Sequence, residues 1–354
     1  MFLRNAWYAA GWSRDFAAAI TSMSILNEGL ILYRDDDGRP VAMEDRCPHR
    51  LAPLSLGRRE GDAVRCMYHG LLFGPDGHCR FLPGQELIPP AIHVRTYPAI
   101  DRHSVLWLWM GDKALADEAL IPPFVGVDSP DWAMRPGRLD YRANYELVND
   151  NLLDLSHVAW VHAQSFAGGD PAAQQEWASA PVKVVGIDRG VRVSRWIEGG
   201  AGPPFTRHLT GPLVDMHVSY DFIVPGIFLL HSQAFMPGTA ARYLGEAPQE
   251  PPVHARFTCQ AVTPLTETET CYFFGFGPWR EHAEHEPIFY EMGLKAFNED
   301  RVMIEAQQRV IDRDPARRMA PIAIDAATTR FRGIMRRLMR EEQGTTTPIA
   351  VPAE

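Results

Sequence analysis

Residues 47–70 read CPHRLAPLSLGRREGDAVRCMYHG, and they constrain this chain more than any other stretch. Cys47 and His49 form a C-x-H pair and Cys66 and His69 a C-x-x-H pair, with sixteen residues between His49 and Cys66. Thiolate and imidazole offered in pairs by short loops are donors for zinc or iron. Zinc fingers usually group like with like, as two cysteines then two histidines or as four cysteines, whereas here each loop carries one of each. That order suits a [2Fe–2S] cluster with Cys47 and Cys66 on one iron and His49 and His69 on the other. Pro48 stiffens the first loop, and Gly70 permits a tight turn in the second. A zinc site is the alternative.

Such a mixed-ligand cluster is of the Rieske type, and two neutral imidazoles in place of thiolates raise its potential above that of an all-cysteine ferredoxin. A one-electron carrier of this kind needs about a hundred residues, yet the chain has 354. Two domains are therefore expected. With 46% hydrophobic and 22% charged residues the composition is globular, and a net charge of -9 leaves no basic stripe for nucleic acid. The start, MFLRNAWYAAGWSRDF, lacks a signal-peptide core, and SVLWLWM and FIVPGIFLL are about half the length needed to span a bilayer. A soluble, cytoplasmic protein with no membrane partner is expected. Five cysteines are an odd number for a disulfide framework, and Cys79, Cys259 and Cys271 read as small buried apolar residues.

The first part reads as β-structure: GLILYR, PVAME, AVRCM, LLFG and VLWLWMG alternate with the turn clusters DDDG, RREGD, GPDG and IDRHS. ADEALIPPFVGVDSPDW reads as a linker. The expected division is a Rieske [2Fe–2S] domain over 1–117, a catalytic mononuclear iron domain over 118–342 and a disordered tail over 343–354. Beyond the linker, YELVNDNLLDLSHVAWVH looks helical. Six strand-like runs follow (VKVVGI, VRVSRWIE, DMHVSYDFIV, IFLLHSQAF, ARFTCQAVT and TCYFFGFG), and helices close the chain over roughly 284–312 and 325–342. The fold class is α+β, an N-terminal β-domain plus a catalytic domain with an antiparallel sheet and surrounding helices. The closing IMRRLMREE reads as a solvated helix.

On the first of these helices Val148, Leu152, Leu155 and Ala159 form one stripe, and Asp150, Asp154, His157 and Val161 another. His162 lies about 140° round an ideal helix from His157, so the two reach one metal only if the helix ends or distorts. In AFNEDRVMIEAQQRVI an apolar arc of Ala296, Phe297, Met303, Ile304, Val310 and Ile311 has Asp300 near its middle and Glu299 at its edge. A carboxylate inside a buried face is costly unless paired or metal-bound. His157, His162 and Asp300 are therefore assigned as the two-histidine, one-carboxylate triad of a non-haem Fe(II) with open positions. Asp154, one turn before His157, is placed to accept that histidine's second N–H or to reach a Rieske histidine and link the metals.

These motifs resemble those of the Rieske non-haem iron oxygenases, specifically the oxygenase components of vanillate O-demethylase, toluene-sulfonate methyl-monooxygenase and dicamba demethylase type. RNAWYAAGW, CPHRLAPLSLG, CMYHGLLFGPDG, LPGQ, LWLWMGD, NDNLLDLSHVAWVH, TPLTETET and NEDRVMIEAQQ carry the resemblance over nearly the whole chain. It implies a homotrimer arranged head to tail, with electrons crossing between subunits through His69, Asp154 and His157. It also implies O2 as co-substrate and a separate flavin and iron–sulfur reductase fed by NADH or NADPH. Hydroxylation of a methoxy carbon would give a hemiacetal that falls apart into a phenol and formaldehyde.

The substrate expected from this resemblance is a small aromatic acid, with O-demethylation of a vanillate-like compound first, hydroxylation of an aryl methyl group second and ring hydroxylation third. A Rieske electron carrier without oxygenase activity is the remote alternative. Gln260 stands where the dicamba-like branch has a pocket histidine, and Glu291 where it has a pocket tryptophan. Phe222, Phe228, Phe235, Phe274 and Phe276 suit a flat ring, and His231 and Gln260 could bind a polar substituent.

Overall fold

The run TCYFFGFGP, with every residue buried, has no polar face to turn to solvent, and it becomes an inner strand covered on both sides. The computed structural model describes residues 1–17, 19–166 and 171–345. In it a seven-stranded antiparallel sheet is built from β1 (Arg135–Tyr141), β2 (Lys183–Ile187), β3 (Gly190–Gly200), β4 (Val214–Ile223), β5 (Ile227–Phe235), β6 (His254–Pro264) and β7 (Thr270–Pro278). Their order is β1-β7-β6-β5-β4-β3-β2. Six of the seven are the strand-like runs of the sequence. The seventh, RPGRLDY, is an edge strand whose proline, glycine and charges hide its period.

Helices α1 (Tyr145–Leu153), α2 (Val158–Val161), α3 (Pro171–Ser179), α4 (Glu286–Arg313) and α5 (Ala326–Thr345) are the ones that carry or flank the site. Phe222, Phe228, Phe274, Phe297 and Phe331 belong to one core that joins α4 and α5 to one face of the sheet. Phe331 meets Phe222 edge-on, their ring centroids 4.7 Å apart, so α5 is an anchored helix rather than a solvated one. It continues through Thr345, past the expected start of the tail, and residues 346–354 lie outside the described ones.

Alternate residues point to the other face, where Ile227, Cys259, Ala261, Cys271 and Phe273 pack against Trp7, Trp107 and Trp109. Those tryptophans lie on a three-stranded sheet of Trp7–Trp12, Val105–Trp109 and Ala99–Arg102. Two four-stranded sheets make up the rest of the N-terminal part: Thr21–Ile25, Glu28–Arg34, Pro40–Glu44 and Thr96–Tyr97, then Arg58–Glu60, Ala63–Arg65, Leu72–Phe73 and Cys79–Phe81. The turn 74–77 closes the last hairpin, with the Gly77 N–H on the Gly74 carbonyl and Gly77 at φ +82°. Cys259 and Cys271 are buried as expected, while Cys79 is only half-buried, because it sits on the short outermost strand.

The expected helix over 145–162 is interrupted. Asn144 caps α1, its side chain accepting from the Glu146 N–H at 2.9 Å. Asp154 then leaves helical geometry at φ -127°, ψ 95°, and a 3-10 turn over Leu155–His157 leads into α2, which ends at His162. Along α4 the buried residues are Phe289, Gly293, Ala296, Phe297, Asp300, Ile304 and Gln308. Met303 and Val310, assigned to the apolar arc from sequence, are 55% and 63% exposed, so the true buried stripe is narrower and has Asp300 on its axis.

Candidate metal centres and active site

The two N-terminal loops are built alike. The Cys47 N–H donates to the Ala52 carbonyl at 2.8 Å and the Leu51 N–H returns to the Cys47 carbonyl at 2.9 Å; the Cys66 N–H donates to Leu71 at 2.8 Å and the Gly70 N–H returns to Cys66 at 2.9 Å. The fifth residue of each loop is left-handed, Leu51 at φ 57° and Gly70 at φ 76°. Both cysteines are buried and both histidines exposed, their rings 4.5 Å apart. Burial pushes the Cys47 thiol up to about 11, opposed by the His49 backbone N–H and reinforced by Cys66. A metal relieves that penalty by binding the thiolates. Two buried sulfurs below two surface imidazoles are a donor set that fits a Rieske cluster.

The second group lies where the broken helix meets α4. His157, His162 and Asp300 each present one ligand atom, all within 4.8 Å of one another. His157 Nε2 is 3.4 Å and His162 Nε2 3.2 Å from Asp300 Oδ1. Their Nδ1 atoms are engaged behind. That of His157 donates to the Asp154 backbone carbonyl at 2.6 Å, and that of His162 donates to Glu299 Oε2 at 2.9 Å. This fixes both tautomers with Nε2 as the free donor to a cation. Asn151 Nδ2 donates to Asp300 Oδ1 at 3.1 Å, and Ser165 Oγ to Glu299 Oε2 at 2.7 Å.

Burial holds His157 below the ordinary histidine pKa, despite Asp300. Burial also works against a charge on His162, but the Asp300 and Glu299 carboxylates outweigh it and raise that histidine. The second carboxylate is the difference. Two imidazoles and one carboxylate, oriented from behind and open in front, fit a ferrous ion with free positions.

The front opens into a cavity of about 990 Å³, counting its mouth, walled largely by apolar groups that include Phe166, Trp177, Phe228, Phe276 and Phe297. Gln260 lines it. Two other sequence assignments are corrected. His231 points to the opposite face of β5, its ring 5.4 Å from Trp132, because Phe228 and Leu230 take the cavity face and side chains alternate. Glu291 is exposed, since nine residues turn a helix by about 180° from Asp300. Among the phenylalanines, Phe222, Phe235 and Phe274 pack in the core instead of lining the cavity.

Asp154 also differs from expectation. Its backbone carbonyl, not its carboxylate, receives the His157 N–H, and the carboxylate accepts from the Ser156 N–H at 2.9 Å and hydroxyl at 2.8 Å. Sequence reasoning missed Asn151, Ser165 and the role of Glu299. Only the neighbouring Glu299–Asp300 pair offered a signal.

Residues 6–98 match the Rieske [2Fe-2S] domain, and residues 141–341 match the vanillate O-demethylase oxygenase C-terminal domain. The chain belongs to the Rieske non-haem iron oxygenases. The iron–sulfur subunit of the toluene-4-sulfonate monooxygenase system of Comamonas testosteroni is 38% identical to this oxygenase, over 98% of this chain and 100% of that one. A vanillate O-demethylase oxygenase subunit of a Pseudomonas species is 34% identical over 97% and 96%. The crystal structure of dicamba monooxygenase bound to 3,6-dichlorosalicylic acid superposes with a TM-score of 0.85 at 28% identity, covering 97% of this chain and 99% of that one. Among the described residues no helix is long and apolar enough to cross a membrane.

Proposed function

We propose that this oxygenase is the terminal component of a multicomponent system that hydroxylates the methoxy carbon of a small aromatic acid, releasing a phenol and formaldehyde. The observation that carries this reading is the aromatic-walled cavity ending on His157, His162 and Asp300. When bound, an iron on that triad supplies oxygen activation and a [2Fe–2S] cluster on Cys47, His49, Cys66 and His69 supplies electrons. The protein's own residues do the rest. Phe166, Phe228, Phe276, Phe297 and Trp177 exclude water and hold a flat ring. Asn151, Glu299 and the Asp154 carbonyl keep the three ligand side chains from rotating.

Each turnover takes O2, two electrons and two protons, placing one oxygen atom on the methyl carbon and the other in water. A reductase using NADH or NADPH supplies the electrons. In the same reading the chain is a homotrimer in which the exposed His69 of one subunit faces Asp154 and His157 of the next. Hydroxylation of an aryl methyl group is the second reading, favoured by the 38% identity to the toluene-4-sulfonate system. The test is turnover with a reductase and NADH on matched methoxybenzoates and toluates. Formaldehyde with a phenol supports demethylation, and a benzylic alcohol alone moves the enzyme to methyl hydroxylation. Neither product from any aromatic acid contradicts both.

A further inference from the structure

Strand β6 turns three polar side chains into the cavity, Arg256, Thr258 and Gln260, at the two-residue spacing that shares a face. Thr258 and Gln260 are each only 2% exposed, and the Thr258 hydroxyl and the Gln260 Oε1 have no hydrogen-bond partner. Native proteins seldom leave buried polar atoms unpaired unless something else arrives to bind them.

Arg256 is the more telling of the three. Its guanidinium lies 5.6 Å over the Phe205 ring, and no carboxylate among the described residues forms an ion pair with it. Burial alone lowers its pKa, to about 10, so it keeps its charge at neutral pH. The carboxylates lining the same cavity do not offset this. Asp300 is engaged by His157, His162 and Asn151, and neither Asp300 nor Glu176 contributes to the Arg256 shift. The next residue on that face, His254, is driven down to about 3 by burial, then by Arg256 and by His282, His208 and His285. This end of the cavity therefore carries an uncompensated cation beside a neutral imidazole. A half-buried charge on a cavity wall without a counter-ion is costly, and a ligand's anion is what removes that cost.

We propose that Arg256 binds the anionic substituent of the substrate, a carboxylate or a sulfonate, with Thr258 and Gln260 completing the polar wall and the ring directed along the aromatic walls toward His157, His162 and Asp300. The assignment rests on the aromatic-acid reading above and gives its acid group a binding residue. A guanidinium presents a fork of donors that pairs with two oxygens of either anion.

The test is equilibrium binding to the anaerobic holoenzyme by titration calorimetry. The probes are 4-methoxybenzoate and toluene-4-sulfonate, each beside its neutral counterpart, 4-methoxybenzamide and toluene-4-sulfonamide. The wild type should prefer at least one anion over its amide by on the order of 100-fold, and which anion shows the preference identifies the substituent. Arg256→Met should weaken that anion on the order of 100-fold while leaving the amide nearly unchanged, with Arg256→Lys in between. Cluster absorbance and iron content report whether each variant is folded, and the wild-type comparison decides the matter if Arg256→Met is not. Equal affinity of the wild type for anion and amide overturns the assignment, as does undiminished anion binding by folded Arg256→Met. Binding of aromatics without discrimination removes only the role of Arg256, whereas absence of binding by all four compounds overturns the aromatic reading with it.

Discussion

Glu299 has no place in the ligand triad, yet it holds His162 from behind while Ser165 holds Glu299. Glu299→Gln keeps the volume but loses the charge-assisted bond, so mononuclear iron affinity should fall roughly 10- to 100-fold while cluster absorbance stays unchanged. Iron binding measured after chelation checks this; unchanged affinity would show that Glu299 does not orient the histidine. At Asp154 the carboxylate caps the turn that carries His157, and an amide can accept the same bond. Asp154→Asn should therefore fold and keep its cluster absorbance, yet lose product formation by on the order of 100-fold if the carboxylate links the two metals. Near-normal turnover would leave capping as its whole role. Residue types and local spacing made Cys47, His49, Cys66, His69, His157 and His162 legible in the sequence, since each pair sits within one loop or two turns. The partners of Asp300 and His162 come from distant elements, and nothing local announces Asn151 or Ser165.

Elements set the geometry that these residues use. The segment carrying the histidines passes from a 3-10 turn at His157 into the short α2 and leaves helical geometry at His162, which brings two side chains an ideal helix would splay to one carboxylate. Helix α4 carries that carboxylate, and its distance from the sheet depends on Gly293, where a Cβ would come within 2.7 Å of Phe276. Gly293→Ala should therefore shift α4 outward, destabilise the protein by about 1–3 kcal/mol and loosen mononuclear iron. Thermal unfolding and iron content test this, and a wild-type melting temperature with full iron would show that the contact yields freely. Face parity explains what the sequence misplaced. His231 lies one step out of phase with Phe228 and Leu230, and Glu291 half a turn from Asp300. The same parity carried back from Gln260 leads to Arg256, a link that only the cavity makes visible.

For the whole molecule, the seven-stranded sheet has helices and the cavity on one face and the tryptophan-bearing N-terminal sheet on the other. Buried histidines on it carry a pH signature. His231 is lowered to about 4 by burial and by His217, and His254 to about 3 chiefly by burial. Both folded values lie below the ordinary 6.5, so the unfolded chain binds more protons between the two values and stability is lost as pH falls from 6.5 toward 4. The melting temperature should drop through that window, and His231→Phe should make the drop shallower; parallel curves would assign the loss to other groups. Six of the seven strands, the α+β class and the closing helices could be read from periodicity, because each run is long and regular. The broken helix and the edge strand could not, because tertiary contacts decide them.

A single turnover without reductase isolates the role of the three-residue iron site. Protein reduced anaerobically would be exposed to O2 with a methoxybenzoate, and products counted per protein chain for wild type and Asp300→Ala. Wild type should give formaldehyde and phenol, and Asp300→Ala none, since the variant keeps its cluster absorbance but loses the second iron. Equal product from both proteins would contradict the assignment of His157, His162 and Asp300 as the oxygenating centre.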